Sequence, residues 1–238
     1  MPKKTDWIAA SPIAHRALHD VRAGRPENSL AAAAAAVTQG FHIEVDLQPS
    51  RDRVPMVFHD YTLERMAGTK GNVRDLTAEE LGRLALCGTD ERVPTLAQLL
   101  ETVAGKSGIV LELKGLAGQD EGFVAEVAKV LAGYDGPVAI MSFNHWLLAD
   151  ARRDAPHLVL GLTAEGDDSH YGEHVAALRA HDPEFVSYGI EDLPCRFVAE
   201  FRENTKRPVI TWTIRSPQDA AKSALYADQI TFEGFDPR

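Results

Sequence analysis

Short apolar runs alternate with helical stretches along most of this chain. Runs bounded by turn residues predict strands near 12–15, 42–47, 54–58, 108–113, 137–141, 157–161, 184–188, 208–212 and 228–231. Between them, helical periodicity predicts helices near 28–39, 95–104, 121–132, 145–154, 172–180, 195–204 and 216–224. Strand–helix alternation of this kind favours a mainly parallel sheet with helices packed on it. Nine candidate strands are one more than an eight-stranded barrel holds. The link from Gln48 to Arg53 is also too short for a parallel crossover. Either that crossover lacks a helix, or one of its two strands pairs differently.

Local signals sharpen several ends. Asn28 or Ser29 can cap the first helix, the alanine run 31–36 has high helix propensity, and Gly40 ends it. Thr95 caps the helix after Pro94, and Ser216-Pro217 opens the last one. The segment 61–93 carries four glycines and one short amphipathic piece, Thr77 to Leu84, opened by a Thr77/Glu80 capping box. It reads as a small insertion over the mouth of the sheet, within one domain spanning 1–238.

Within this frame, the stretch from Ile43 to Asp60 draws the most attention. In a strand, Ile43, Val45 and Leu47 would share one face, leaving Glu44 and Asp46 together on the other. The next apolar run, Val54 to Phe58, ends in His59-Asp60, where α/β folds present their chemistry. Two carboxylates on one pleat, followed by a histidine, form part of a candidate metal and acid/base site. Standing alone, Glu44 and Asp46 would read as solvated residues of an edge strand.

Composition narrows the partners. A formal net charge of −10 disfavours a nucleic-acid backbone or an anionic membrane surface. An anionic substrate would therefore need a locally positive site, such as a bound cation. No apolar run reaches membrane-spanning or signal-peptide length, so a cytoplasmic protein without stable membrane insertion is expected. Two cysteines, Cys87 and Cys195, in no CxxC pattern fit a reducing compartment and offer no zinc site. Oligomeric state is left open.

His15-Arg16, Pro26-Glu27-Asn28, Glu44-Val45-Asp46, His59-Asp60, Glu112-Leu113-Lys114, Ser142-Phe143 and Trp212-Thr213 follow one another in this order. In that order they resemble the pattern of the glycerophosphodiester phosphodiesterase family, across nearly the whole chain. The resemblance implies a (β/α)8 barrel of the phospholipase-C-like phosphodiesterase type with the insertion after its third strand. It also implies metal-dependent hydrolysis of glycerophosphodiesters, small-molecule substrates, to glycerol 3-phosphate and an alcohol. Two departures bear on the first loop: Ala17 stands where the family usually has glycine, and the interval from Arg16 to Pro26 is longer than usual.

Residue types fit these roles on physical grounds. Glu44, Asp46 and Glu112 would supply three hard oxygen ligands to one divalent cation, Mg2+ or Ca2+. Histidine as a residue type changes protonation near neutral pH, so His15 and His59 suit general acid and base work. The resemblance gives Arg16 and Lys114 to the phosphate oxygens, and Phe143 and Trp212 to the glycerol or alcohol wall. Glu27, at a helix start, either favours the helix dipole or orients a neighbouring site residue. The other histidines show no defensible ligand spacing. Alternatives are a lyase-type enzyme acting on a lysophospholipid or phosphoinositide with a cyclic phosphate product, or an inactive barrel acting as a binding protein.

Overall fold

The computed structural model describes residues 4–238, so the first three residues of the expected 1–238 domain lie outside the described residues. In chain order its elements are β1 (Ile13–Ala14), α1 (Leu30–Gln39), β2 (His42–Pro49), β3 (Pro55–Val57), α2 (Glu64–Ala67), α3 (Ala78–Leu81), α4 (Leu96–Val103), β4 (Ile109–Leu113) and α5 (Phe123–Leu131). There follow β5 (Val138–Ser142), α6 (His145–Asp154), β6 (Val159–Ala164), α7 (Tyr171–His181), β7 (Phe185–Gly189), α8 (Arg196–Thr205), β8 (Val209–Ile214), α9 (Pro217–Tyr226) and β9 (Gln229–Phe232).

Eight strands pair in parallel in the order β1-β9-β8-β7-β6-β5-β4-β2, and β1 pairs with β2 to close the barrel. The ninth, β3, turns back and pairs antiparallel with β2, Leu47 opposite Val57. That resolves both the surplus strand and the short Gln48–Arg53 link: the pair is a hairpin, which needs no crossover. The insertion therefore follows the third strand in sequence, which is not a barrel strand.

α1 illustrates how the sequence builds the outer layer. Its cap is Ser29, whose hydroxyl accepts from the Ala32 N–H, and Gly40 takes the left-handed conformation at its end with φ of 76°. Ala32, Ala33 and Ala36 are fully buried, so the helix seats closely on the barrel. Asn28 is free for another role. The piece opened by the Thr77/Glu80 capping box is shorter than expected, a single turn ending at Leu81. β6 is displaced toward the carboxyl side of its expected span: His157 precedes it in a turn, and the strand runs on to Ala164. Gly161 sits inside this strand because the Phe185 ring occupies the space its side chain would need.

The barrel interior is divided along its axis. Toward the amino ends of the strands, Ile13, Val110, Ala139, Val159, Phe185 and Ile210 form an apolar plug, with Ile8 and Trp7 against it. Toward the carboxyl ends the inward positions turn polar, beginning with Glu44, Asp46 and Glu112. Segment 61–93 packs Leu63, Met66, Val73 and Leu81 against Met56 and Phe58 of the β3 run, in a cluster separate from the barrel core. No helix among the described residues is long and apolar enough to cross a membrane.

Candidate active site

Register decides which side chains meet. β2 carries Glu44 and Asp46 on its inward face, and pairing with β4 sets Glu112 directly beside Asp46. Glu44, Asp46 and Glu112 are all buried, and each brings an oxygen within 4.8 Å of the other two. Burial, with the charges of Asp46 and Glu112 beside it, pushes the Glu44 carboxyl well up. Burial raises Glu112 as well, against the pull of Lys114. Asp46 goes the other way: burial opposes its charge, but Lys114, His59, Arg16 and an Asn28 hydrogen bond together lower it. Three buried carboxylates with this much mutual repulsion make a hard-oxygen donor set suited to a divalent cation.

Arg16 and Lys114 flank the acids. Lys114 Nζ lies 2.9 Å from Glu112 and 3.3 Å from Asp46. Arg16 donates its backbone N–H to Glu44 Oε2 at 3.0 Å and its guanidinium to Glu27 Oε1 at 2.8 Å. Its Nε, 3.8 Å from Asp46, has no hydrogen-bond partner among the described residues. Ser29 rather than Glu27 caps α1, and Glu27 also receives two hydrogen bonds from Arg65, at 2.8 and 2.7 Å. The guanidinium groups of Arg65 and Arg16 hold its carboxyl below the usual range despite burial.

The two histidines stand in parallel arrangements. His15, just after β1, donates from Nδ1 to Glu233 Oε2 at 2.6 Å, while its Nε2 faces Glu44 at 4.0 Å. His59, just after β3, donates from Nδ1 to Asp60 Oδ1 at 2.7 Å. Each ring therefore keeps its Nε2 for other work, with a carboxylate behind it. Burial lowers the His59 imidazole, the nearby Asp46 charge opposing. Asp60 is tied in turn by Arg65 at 2.6 Å, and Glu233 by Arg215 at 2.7 Å. Gln48 fixes the His59 segment by donating to the carbonyls of Phe58, His59 and Asp60 at 2.9, 2.9 and 2.7 Å.

One cavity of about 190 Å3 is lined by His15, Arg16, Glu44, Asp46, His59, Glu112 and Lys114 and walled by Phe143 and Trp212. The two aromatic rings meet edge to face, centroids 5.5 Å apart. Phe143 is 40% exposed, which sets it apart from a core residue. Every residue singled out from the sequence except Glu27 lines this cavity, and Glu27 reaches it through Arg16.

Three contributing residues were given no role in the site by the sequence, although Asn28 and Asp60 stand within its motifs. Asn28 holds Asp46, and its place directly after Glu27 was the signal available. Asp60 stands beside His59 in sequence, so adjacency pointed to it. Glu233 lies just past β9 and meets His15 across 218 positions; its place at the carboxyl end of the last strand was the only hint.

Fold and site together define a parallel α/β barrel with an acidic cluster and two carboxylate-backed histidines gathered at its carboxyl rim. A profile of the Glycerophosphoryl diester phosphodiesterase family matches residues 15–231, and the chain belongs to that family. A glycerophosphodiester phosphodiesterase of Caldanaerobacter subterraneus is 35% identical over 149 residues, 58% of this chain. The match takes in 60% of that relative's length, less than two thirds of it. Among solved structures, an Oleispira antarctica phosphodiesterase in complex with the product sn-glycerol-3-phosphate superposes with a TM-score of 0.83 at 26% identity, covering 94% of this chain and 92% of that one. The Thermotoga maritima glycerophosphodiester phosphodiesterase shares the fold, with a TM-score of 0.76 at 23% identity over 93% of this chain and 94% of that one.

Proposed function

We propose that this chain hydrolyses glycerophosphodiesters to glycerol 3-phosphate and an alcohol, with one divalent cation, Mg2+ or Ca2+, and a histidine pair. The observation that carries this reading is the meeting of the Glu44–Asp46–Glu112 cluster with His15 and His59 around one cavity. Family membership and the product held by the Oleispira antarctica relative support the choice of substrate.

Glu44, Asp46 and Glu112 would hold the cation, which when bound would offset the diester charge and stabilise the negative charge gained in the transition state. Arg16 and Lys114 bring two positive charges to the same cavity and suit the non-bridging phosphate oxygens. Of the two imidazoles, one accepts a proton from the attacking hydroxyl or water at Nε2 while the other gives one to the departing alkoxide. Glu233 and Asp60 keep the rings oriented and favour the imidazolium as it forms. Phe143 and Trp212 supply an apolar wall for the organic part of the substrate. The segment 61–93 serves this rim as part of the same domain, since Arg65 reaches from it to Glu27 and Asp60.

Phosphorus NMR of glycerophosphocholine turnover tests the reading. The expected products are glycerol 3-phosphate and choline, abolished by chelator and restored by Mg2+ or Ca2+. A cyclic phosphate resonance would instead assign a lyase, and no turnover with either cation would leave a binding protein.

A further inference from the structure

Arg65 stands on α2, between the buried Leu63 and Met66 that anchor this turn in the apolar cluster of segment 61–93. Its guanidinium meets two carboxylates along two edges. The Nη1–Nη2 edge donates to Glu27 Oε2 and Oε1 at 2.8 and 2.7 Å, and the Nε–Nη2 edge donates to Asp60 Oδ2 and Oδ1 at 2.6 and 2.8 Å.

Nη2 sits where the two edges meet, and both oxygens it reaches are shared with the site. Glu27 Oε1 also accepts from Arg16 Nη1 at 2.8 Å, and Asp60 Oδ1 also accepts from His59 Nδ1 at 2.7 Å. One nitrogen of the insertion thus stands between the arginine assigned to the phosphate and one of the two imidazoles assigned to proton transfer. Arg16 follows β1 and His59 follows β3, and among the described residues these strands each pair with β2 and not with each other.

We infer that Arg65 is a positioning residue: it ties Arg16 and His59 into one hydrogen-bonded unit, and the insertion is the scaffold that delivers it. The inference rests on the phosphodiesterase reading above and adds a working part to it. A proton moves between His59 and an oxygen of the phosphoryl group that Arg16 holds, so the rate depends on where the two side chains stand relative to each other. The tie needs a planar fork, because a lysine ammonium has no edge to offer either carboxylate.

The test is a cycle on kcat for glycerophosphocholine with the metal-loaded full chain: Glu27→Gln and Asp60→Asn, singly and together, with and without Arg65→Lys. In each of the first two, one oxygen remains where a guanidinium edge needs two. With Arg65 present, both substitutions loosen the same unit, so the double variant should lose at least about threefold less than the product of the single losses, as residues of one hydrogen-bond network do. Arg65→Lys keeps the charge and should by itself lower kcat by about tenfold or more. With the tie already cut, the other two losses should then multiply to within about twofold. An effect on folding alone would lower the active fraction without making the losses depend on one another. Losses that multiply while Arg65 is present, or a wild-type kcat in Arg65→Lys, would overturn the tie and leave the phosphodiesterase reading intact. Wild-type inactivity with both Mg2+ and Ca2+ would overturn that reading, and the tie with it.

Discussion

Asn28 and Asp46 exchange two hydrogen bonds: the Asn28 side-chain amide donates to Asp46 Oδ2 at 2.9 Å, and the Asp46 backbone N–H donates to Asn28 Oδ1 at 3.2 Å. Asn28 does this from a left-handed backbone, φ 57°, which asparagine and aspartate tolerate better than most residues. The pair sets the direction in which Asp46 presents its second oxygen toward Glu44 and Glu112. Asn28→Asp keeps the shape and the backbone preference but replaces the donor with an oxygen facing another oxygen. Divalent-cation affinity, measured by calorimetry, should fall by about ten- to a hundredfold, the range typical of groups that orient metal ligands. Unchanged affinity would mean that Lys114 and Arg16 alone suffice to orient Asp46.

Ala17 keeps the glycine-like conformation without being glycine. Its φ is 64°, its methyl is buried, and its N–H donates to the carbonyls of Ala14 and Glu44 at 3.2 and 3.0 Å. The left-handed conformation costs an L-residue roughly 1–2 kcal/mol. Glycine would remove that strain but would lose roughly 0.5–1 kcal/mol through backbone entropy and about 0.8 kcal/mol with the buried methyl. These terms nearly cancel, so Ala17→Gly should shift stability by less than about 1 kcal/mol and leave turnover unchanged. Ala17→Val adds β-branching at positive φ in a packed site and should destabilise by about 2 kcal/mol or more, read from urea unfolding.

Glu44 is held where its own charge is unwelcome without a cation. It is 2% exposed, with Asp46 and Glu112 oxygens within 4.8 Å. In Glu44→Gln the amide oxygen can still accept the Arg16 N–H, while the repulsion is removed. The melting temperature in the presence of chelator should therefore be equal to or above that of wild type. The rise produced by added Mg2+ or Ca2+ should disappear, because ligand-linked stability follows affinity for the folded state. A variant that melts lower with chelator and still responds to the cation would remove Glu44 from the ligand set.

How much of this was readable from the sequence depends on the distance between partners. Strand alternation and turn residues placed β2, β4 and most of α1 within a residue or two, because those signals are local. The acid cluster was also legible, since Glu44 and Asp46 share a pleat and Glu112 ends an apolar run. β3 was found as a strand but not as an antiparallel one; pairing direction is a tertiary property, and only the short link to β2 hinted at it. The shift of β6 reflects Gly161, whose value in mid-strand appears only once Phe185 is packed over it. The carboxylate behind His15 was hidden for the same reason: Glu233 meets it only when the last strand closes the barrel onto the first.

Asp60 links the catalytic rim to acid stability. It accepts from His59 at 2.7 Å and from Arg65 Nε at 2.6 Å, and the Arg65 hydrogen bonds, then the His59 one, bring its carboxyl down to about 2 from an ordinary 3.8. A carboxyl depressed in the folded state binds fewer protons there than in the unfolded chain. Its contribution is therefore fully present above the unfolded value and is lost as pH falls through the folded one. For Asp60 that window runs from about pH 4 down to about pH 2. Glu27 and Glu233 are also depressed, so wild type alone would show a composite acid transition. The difference between wild type and Asp60→Asn isolates the one group, since asparagine keeps an oxygen for Arg65 but does not titrate. Melting temperatures from pH 5 to pH 2 should show wild type above the variant at pH 5, with the gap narrowing below pH 4 and nearly closed at pH 2. A gap that persists undiminished at pH 2 would show that Asp60 stabilises the rim by packing rather than by its charge.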